Sequence, residues 1–216
     1  MSDQIENEGR TLTARERVLE AAEKCFMARG YAAVTLRDIA GAVGIKHTSL
    51  YHHVPGGKEE LFVEVVERSL ERHRRGLRES VQTATPDFRS RLHAVADWFL
   101  GQEPMDLVRM TQSDMPSLSD QASERLIQLI YESVLLPVEA ILHDAYRDGE
   151  TENQDLGLIS GGLVGMIQSL FSVPESKVSM SRNEMGRRLI DAFLDGIATT
   201  PSVPAATSRA GSRASR

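Results

Sequence analysis

Cysteine is almost missing from this sequence: Cys25 stands alone among 216 residues, so no disulfide framework can form within the chain. It falls on the apolar stripe of a helical pattern, where an inert core thiol is the expected reading. Equally absent are an H-E-x-x-H pair, a paired-cysteine spacing, a phosphate loop and a nucleophile elbow. Catalysis is therefore set aside, and an enzyme built from helix-borne Asp and His stands as a remote alternative. No signal segment opens the chain, and no apolar run approaches the about eighteen residues that span a bilayer, so a cytoplasmic protein without a membrane partner is expected. Acid is missing locally. The chain carries a net charge of -6, yet no Asp or Glu occurs from Gly44 through Lys58. What is present is a 41% hydrophobic content, enough for the core of one large or two small domains.

The stretch from Thr35 to Val54 holds two short helical patterns joined at a glycine. Leu36, Ile39, Ala40 and Val43 recur at i, i+3, i+4 and i+7 and so share one buried side. Thr35 with Asp38 forms a capping box, and Gly44 supplies the left-handed residue that a sharp exit needs. A second helix starts near Lys46, with Ile45, Leu50 and Val54 inward. Lys46, His47, Thr48, Ser49, Tyr51 and His53 then face out, as donors, acceptors and one ring. Such a face fits the major groove, and an acid-free segment in an acidic chain concentrates phosphate affinity there. On spacing alone, a helical hairpin with a solvated polar face competes with this reading.

The flanks add to the pattern: a first helix ending Ala28-Arg29-Gly30-Tyr31, a threonine before the second, Leu50-Tyr51 followed by His52 and His53, and Lys58-Glu59-Glu60-Leu61 opening a fourth. The run from Arg17 to Phe62 resembles the N-terminal DNA-binding domain of TetR-family transcriptional regulators, with a Pro55-Gly56-Gly57 linker a residue longer than many members carry. The resemblance implies an all-α fold of about nine helices, a three-helix helix-turn-helix domain followed by a helical ligand-binding and dimerisation domain. It implies a homodimer on a palindromic double-stranded operator, and a small-molecule effector whose binding releases the protein, without a cofactor. It places Thr35, Arg37, His47, Thr48, Ser49, Tyr51, His53 and Lys58 at DNA-contacting positions beside the outward Lys46. Thr35, Tyr51, His53 and Lys58 suit phosphates; Arg37, His47, Thr48 and Ser49 suit base edges.

Residues 1–11 are polar and expected to be a disordered arm. Thr13 and Glu16 cap a first helix whose stripe of Val18, Ala21, Ala22, Cys25 and Phe26 runs to Gly30. The DNA-binding domain is expected over 12–57. From Lys58 to about Val81 one long helix leads into a second domain over 58–198, and the resemblance makes it a connecting rod. Its arginines Arg68, Arg72, Arg74, Arg75 and Arg78 alternate with Glu67, Glu71 and Glu79 as a solvated ion-pair face. A fifth helix runs from Phe88 to Gly101 and a short one follows Pro104. A long helix from Asp120 to Tyr146 should kink at Pro137. Two apolar helices close the domain, Asp155 to Phe171 and Glu184 to Ile197, the second capped by Ser181. Gly161 and Gly165 in the first cost about 1 kcal/mol each against alanine, which close approach of another helix would offset. The resemblance makes that helix a second subunit's, with Phe193 in the same interface; burial within one subunit is the competing reading. Residues 199–216 are expected to be a disordered tail.

For the effector, Trp98, Phe99, Met105, Met110, Met115, Tyr131, Met166 and Phe171 form a soft set suited to an apolar or amphipathic molecule, although core packing explains them too. Polar anchors would be His93, Gln102, Gln112, Asp114, His143 and Gln168. The expected ligand set is His93, Trp98, Gln102, Met105, Met110, Asp114, Tyr131 and Met166. A metal-responsive regulator using His93, His143 and Asp114 is the second alternative.

Overall fold

Two capping boxes start the chain's helices where the sequence places them. Thr13 and Glu16 exchange bonds at the head of α1 (Ala14–Arg29), and Thr35 and Asp38 do so at the head of α2 (Leu36–Val43). Gly44 ends α2 at φ 78°, left-handed as expected. Then come α3 (His47–Leu50), α4 (Gly57–Thr83) and α5 (Phe88–Leu100). In this computed structural model residues 12–152, 155–174 and 177–197 are described, so the expected arm and tail lie outside them. Among the described residues every regular element is helical.

The two helices that follow are irregular for one shared reason. α6 begins as Leu107–Arg109, widens into a π-turn at Met110–Asp114 and tightens at Met115–Ser117. α7 runs Asp120–Ile130, widens at Tyr131–Leu135 and continues as Leu136–Arg147. Pro116 and Pro137 each sit two residues past a π-turn. Each lacks the N–H that would bond the carbonyl four residues back, Gln112 or Ser133, and both carbonyls lie inside the wide turns. The break at Pro137 is thus absorbed before the proline, as one extra residue in the turn. Helix α8 (Leu156–Ser169, tightened over Leu170–Ser172) and α9 (Arg182–Ile197) complete the set, and Ser181 Oγ accepts from Glu184 N at 3.2 Å as expected.

A single apolar core joins both halves along α4. In the first half Phe26 meets Phe62 edge-on at 5.1 Å, over Ile39, Leu50 and Leu61. Farther along, Leu70 and Leu77 pack with Leu92, Phe99, Leu126 and Leu142. Trp98 lies flat against α4 because residue 76 is glycine: a Cβ there would stand 1.9 Å from the indole. α9 lies on α5, where Gly186 meets Leu100 and the arginines Arg89 and Arg187 bond Asp195 and Asp97 at 2.9 and 2.6 Å. By length and composition Asp120–Arg147 could cross a membrane, with a mean hydropathy of 1.4, contrary to the expectation that no apolar run approaches the necessary length. Its apolar residues Leu126, Val134, Val138 and Leu142 are fully buried in the core.

Candidate nucleic-acid interface

The reading head is α2, the Gly44 turn and α3. Leu50 and Val54 anchor α3 inward at 0% and 4% exposure. The regular part of α3 is one turn, and the chain stays coiled through Val54, whose N–H reaches Leu50 O at 3.0 Å. Arg37, Lys46, Thr48 and Tyr51 are exposed on this head, and His47, Ser49 and His53 half so. The His47 ring stands edge-on to Tyr51 at 5.1 Å, which ties the two outer rings into one surface. The Thr35 hydroxyl accepts from Asp38 N and donates to Asp38 Oδ2 at 2.8 Å, so a phosphate contact from it would share that proton with the cap. Backbone and side-chain bonds from Thr35 hold the Asp38 carboxyl below its ordinary pKa, which keeps the cap charged.

Lys58 is half-buried. Its ammonium donates to Tyr31 O at 3.0 Å and stands 4.0 Å over the Tyr31 ring, leaving the other ammonium protons for a phosphate at the foot of α4. Burial beside Glu59 pushes the Tyr31 phenol up, so the ring stays neutral under the cation.

The expected ligand residues do not meet in one cavity. Trp98, Gln102 and Met105 line a cleft of about 470 Å³ between α1, α4 and the end of α5. His93 turns to the other side of α5, with Nε2 2.9 Å from Asp191. Met110 is fully buried in the core, Tyr131 is exposed and bonds Glu139 at 3.0 Å, and Met166 is half-buried on α8. Asp114 is 3% exposed and accepts from Tyr31 N at 2.8 Å, so the structure uses it as a tie to the reading head. His93, His143 and Asp114 sit on three different helices, and among the described residues no three His, Cys, Asp or Glu side chains cluster for an ion. Sequence reasoning missed a groove of about 580 Å³ between α4, α5 and α7, floored by Leu77, Val81 and Ile141 and rimmed by Arg74, Arg78 and Glu132 and by Arg91, which pairs with Asp144 at 3.1 Å. The sequence reading took Arg74 and Arg78 as part of a solvated ion-pair face, and only the approach of α7 makes Leu77 and Val81 beside them a floor.

Gly161, Gly162 and Gly165 have nothing within 4 Å of where a Cβ would be, and Leu158 beside them is 78% exposed. The competing reading, glycines buried within one subunit, is overturned: they form an open face. Phe193 on α9 is half-buried.

Comparison with known proteins bears on residues 18–65, which match the model of the bacterial regulatory proteins of the tetR family. The HTH-type transcriptional regulator LmrA of Bacillus subtilis is 36% identical over 72 residues, which cover 33% of this chain and 38% of LmrA. The chain's match therefore spans well under half of that relative. Over the whole fold, the TetR-family regulator PfmR of Thermus thermophilus superposes with a TM-score of 0.66 at 28% identity, covering 85% of this chain and all of PfmR's. AibR, solved with isovaleryl coenzyme A and operator DNA, gives a TM-score of 0.68 at 14% identity over 82% of this chain and 96% of its own, a likeness of fold. Residues 18–65 thus match the tetR family of bacterial regulatory proteins, and the fold as a whole is similar to that of a TetR-family transcriptional regulator.

Proposed function

We propose that this chain is a cytoplasmic, sequence-specific regulator of transcription that binds DNA as a homodimer and acts as a repressor released by a small apolar or amphipathic molecule. The observation that carries the reading is the outer face of α2 and α3: Arg37 on the capped α2, and Lys46, His47, Thr48 and Tyr51 in a segment free of acid from Gly44 to Lys58. The reading half is taken as 12–57 and the effector half as 58–198. In this reading α3 enters the major groove, with Arg37, His47, Thr48 and Ser49 at base edges and Thr35, Tyr51, His53 and Lys58 at phosphates.

A second copy is the partner for the glycine face of α8, since an exposed Leu158 beside three glycines is a surface that another helix can approach closely. Two reading helices about 34 Å apart would then meet successive major grooves of a palindrome. The α4–α5–α7 groove, with its apolar floor and arginine rim, suits an amphipathic effector, a class that includes the acyl-coenzyme A bound by the structurally similar AibR. An effector there would touch α4, which runs into the reading half, and α7 beside its π-turn.

The test is selection of a duplex from a random pool followed by titration of Arg37→Ala. Loss of about 1–3 kcal/mol with relaxed preference at one base pair is expected. A chain that selects no sequence, or whose Arg37→Ala variant keeps full specificity, would falsify the reading.

A further inference from the structure

One short stretch of backbone is held from both of its sides. The Tyr31 N–H donates to Asp114 Oδ1 at 2.8 Å, and the Tyr31 carbonyl accepts from Lys58 Nζ at 3.0 Å. Asp114 sits in the π-turn of α6, in the effector half; Lys58 opens α4 at the reading head. Arg109, one helical turn before Asp114, donates through Nη2 to Phe26 O and Met27 O at 3.2 and 2.9 Å, sharing Phe26 O with the Gly30 N–H that closes α1 at 2.8 Å. Its Nε lies 3.6 Å from Asp114 Oδ2, so guanidinium and carboxylate grip the end of α1 and the turn after it as one unit.

Three features show that the grip is built into the fold. Residue 30 is glycine at φ 79°, and a Cβ there would stand 2.8 Å from Asp114 Oδ1, so the ARGY glycine both ends α1 and admits the carboxylate. The wide turn lets Met110, Asp114 and Met115 all point inward, a spacing that regular α geometry splits between faces. Asp114 Oδ2 and Arg109 Nε are buried without a hydrogen bond, so the pair keeps a desolvation cost that a purely structural contact would gain by shedding.

We propose that Asp114 and Arg109 are positioning residues for DNA binding, which fix the Tyr31 turn and, through its carbonyl, the Lys58 ammonium at the phosphate backbone. This rests on the assignment of Lys58 to phosphate. Any shift of α6 that withdraws Asp114 then frees the Tyr31 peptide and loosens Lys58, so the irregular helix of the effector half holds one phosphate contact of the reading half.

The test measures binding to a duplex of arbitrary sequence as a function of salt, because the slope counts phosphates and sequence plays no part. Lys58→Ala should lower the slope by about one unit. Asp114→Ala should lower it by the same amount, the double variant should lower it no further, and Asp114→Asn, whose carboxamide oxygen still accepts from Tyr31 N–H, should restore it. A variant that merely destabilises the fold reduces the active fraction and leaves the slope unchanged. A wild-type slope in folded Asp114→Ala, with the slope lowered in Lys58→Ala, overturns the proposal. An unchanged slope in Lys58→Ala overturns the phosphate assignment and the proposal together. If Asp114→Ala does not fold, Arg109→Ala replaces it: a lowered slope supports the clasp, and a wild-type slope refutes it.

Discussion

In α2 almost every polar backbone group finds its partner within four residues: Thr35 and Asp38 satisfy the first turn, and the Gly44 N–H closes the last on Ala40 and Gly41. In α6 and α7 the opposite holds. Their prolines open π-turns, and two of the side chains that hold them are tied to distant residues: Asp114 bonds residue 31, while Ser119 ahead of α7 bonds Glu59 through both its N–H and its hydroxyl, at 3.0 and 2.7 Å. The frame of α2 and its turn is thus assembled by local rules. The second half depends on contacts between residues far apart in the sequence.

His73 gives the largest test of the distant contacts. It is 6% exposed, accepts from the Trp98 indole at 3.3 Å and stacks on Phe99. Burial, with Arg72 beside it, pulls its pKa from 6.5 down to about 4. The unfolded chain therefore takes up the proton first as pH falls. The stabilisation is whole above about pH 6.5 and is lost towards pH 4, at up to about 1.4 kcal/mol per unit. Denaturant midpoints taken near neutral and near pH 5 should separate for the wild type and draw together for His73→Gln.

Gly76→Ala sets the two kinds of rule against each other at one position. Helix propensity alone promises a gain of about 1 kcal/mol. The Cβ, however, would fall 1.9 Å from the Trp98 ring, and overpacking costs about 1–3 kcal/mol. A net loss in urea titration, with a shift in tryptophan emission as the indole leaves His73, is expected; a gain would mean that α4 follows local rules after all.

The smallest effects are purely local. Thr35→Ala removes the cap of α2 and should cost about 1 kcal/mol by thermal shift of the DNA-free protein. Gly161→Ala, with open space at its Cβ, should add up to about 1 kcal/mol to subunit stability and weaken the dimer in sedimentation. A dimer constant left unchanged would remove α8 from the interface.

The helices, their caps and the reading face were legible because each depends on residues a few positions apart: Thr13 with Glu16, Thr35 with Asp38, Gly44, and the stripe from Leu36 to Val43. The tie from Asp114 to Tyr31 and the role of Arg109 went unnoticed, because their spacing is resolved only by a π-turn and their partners lie 83 positions away. The glycines of α8 were legible as a cost, but that they face outward was not. By itself the sequence determined an all-helical chain with a capped reading head whose second helix carries no acid, since turns, caps and periodicity act over short range. Tertiary structure alone decided that Gly30 admits a carboxylate, that Gly76 admits an indole and that α4 and α7 leave a groove, because each depends on which remote side chain arrives, and no local pattern encodes that.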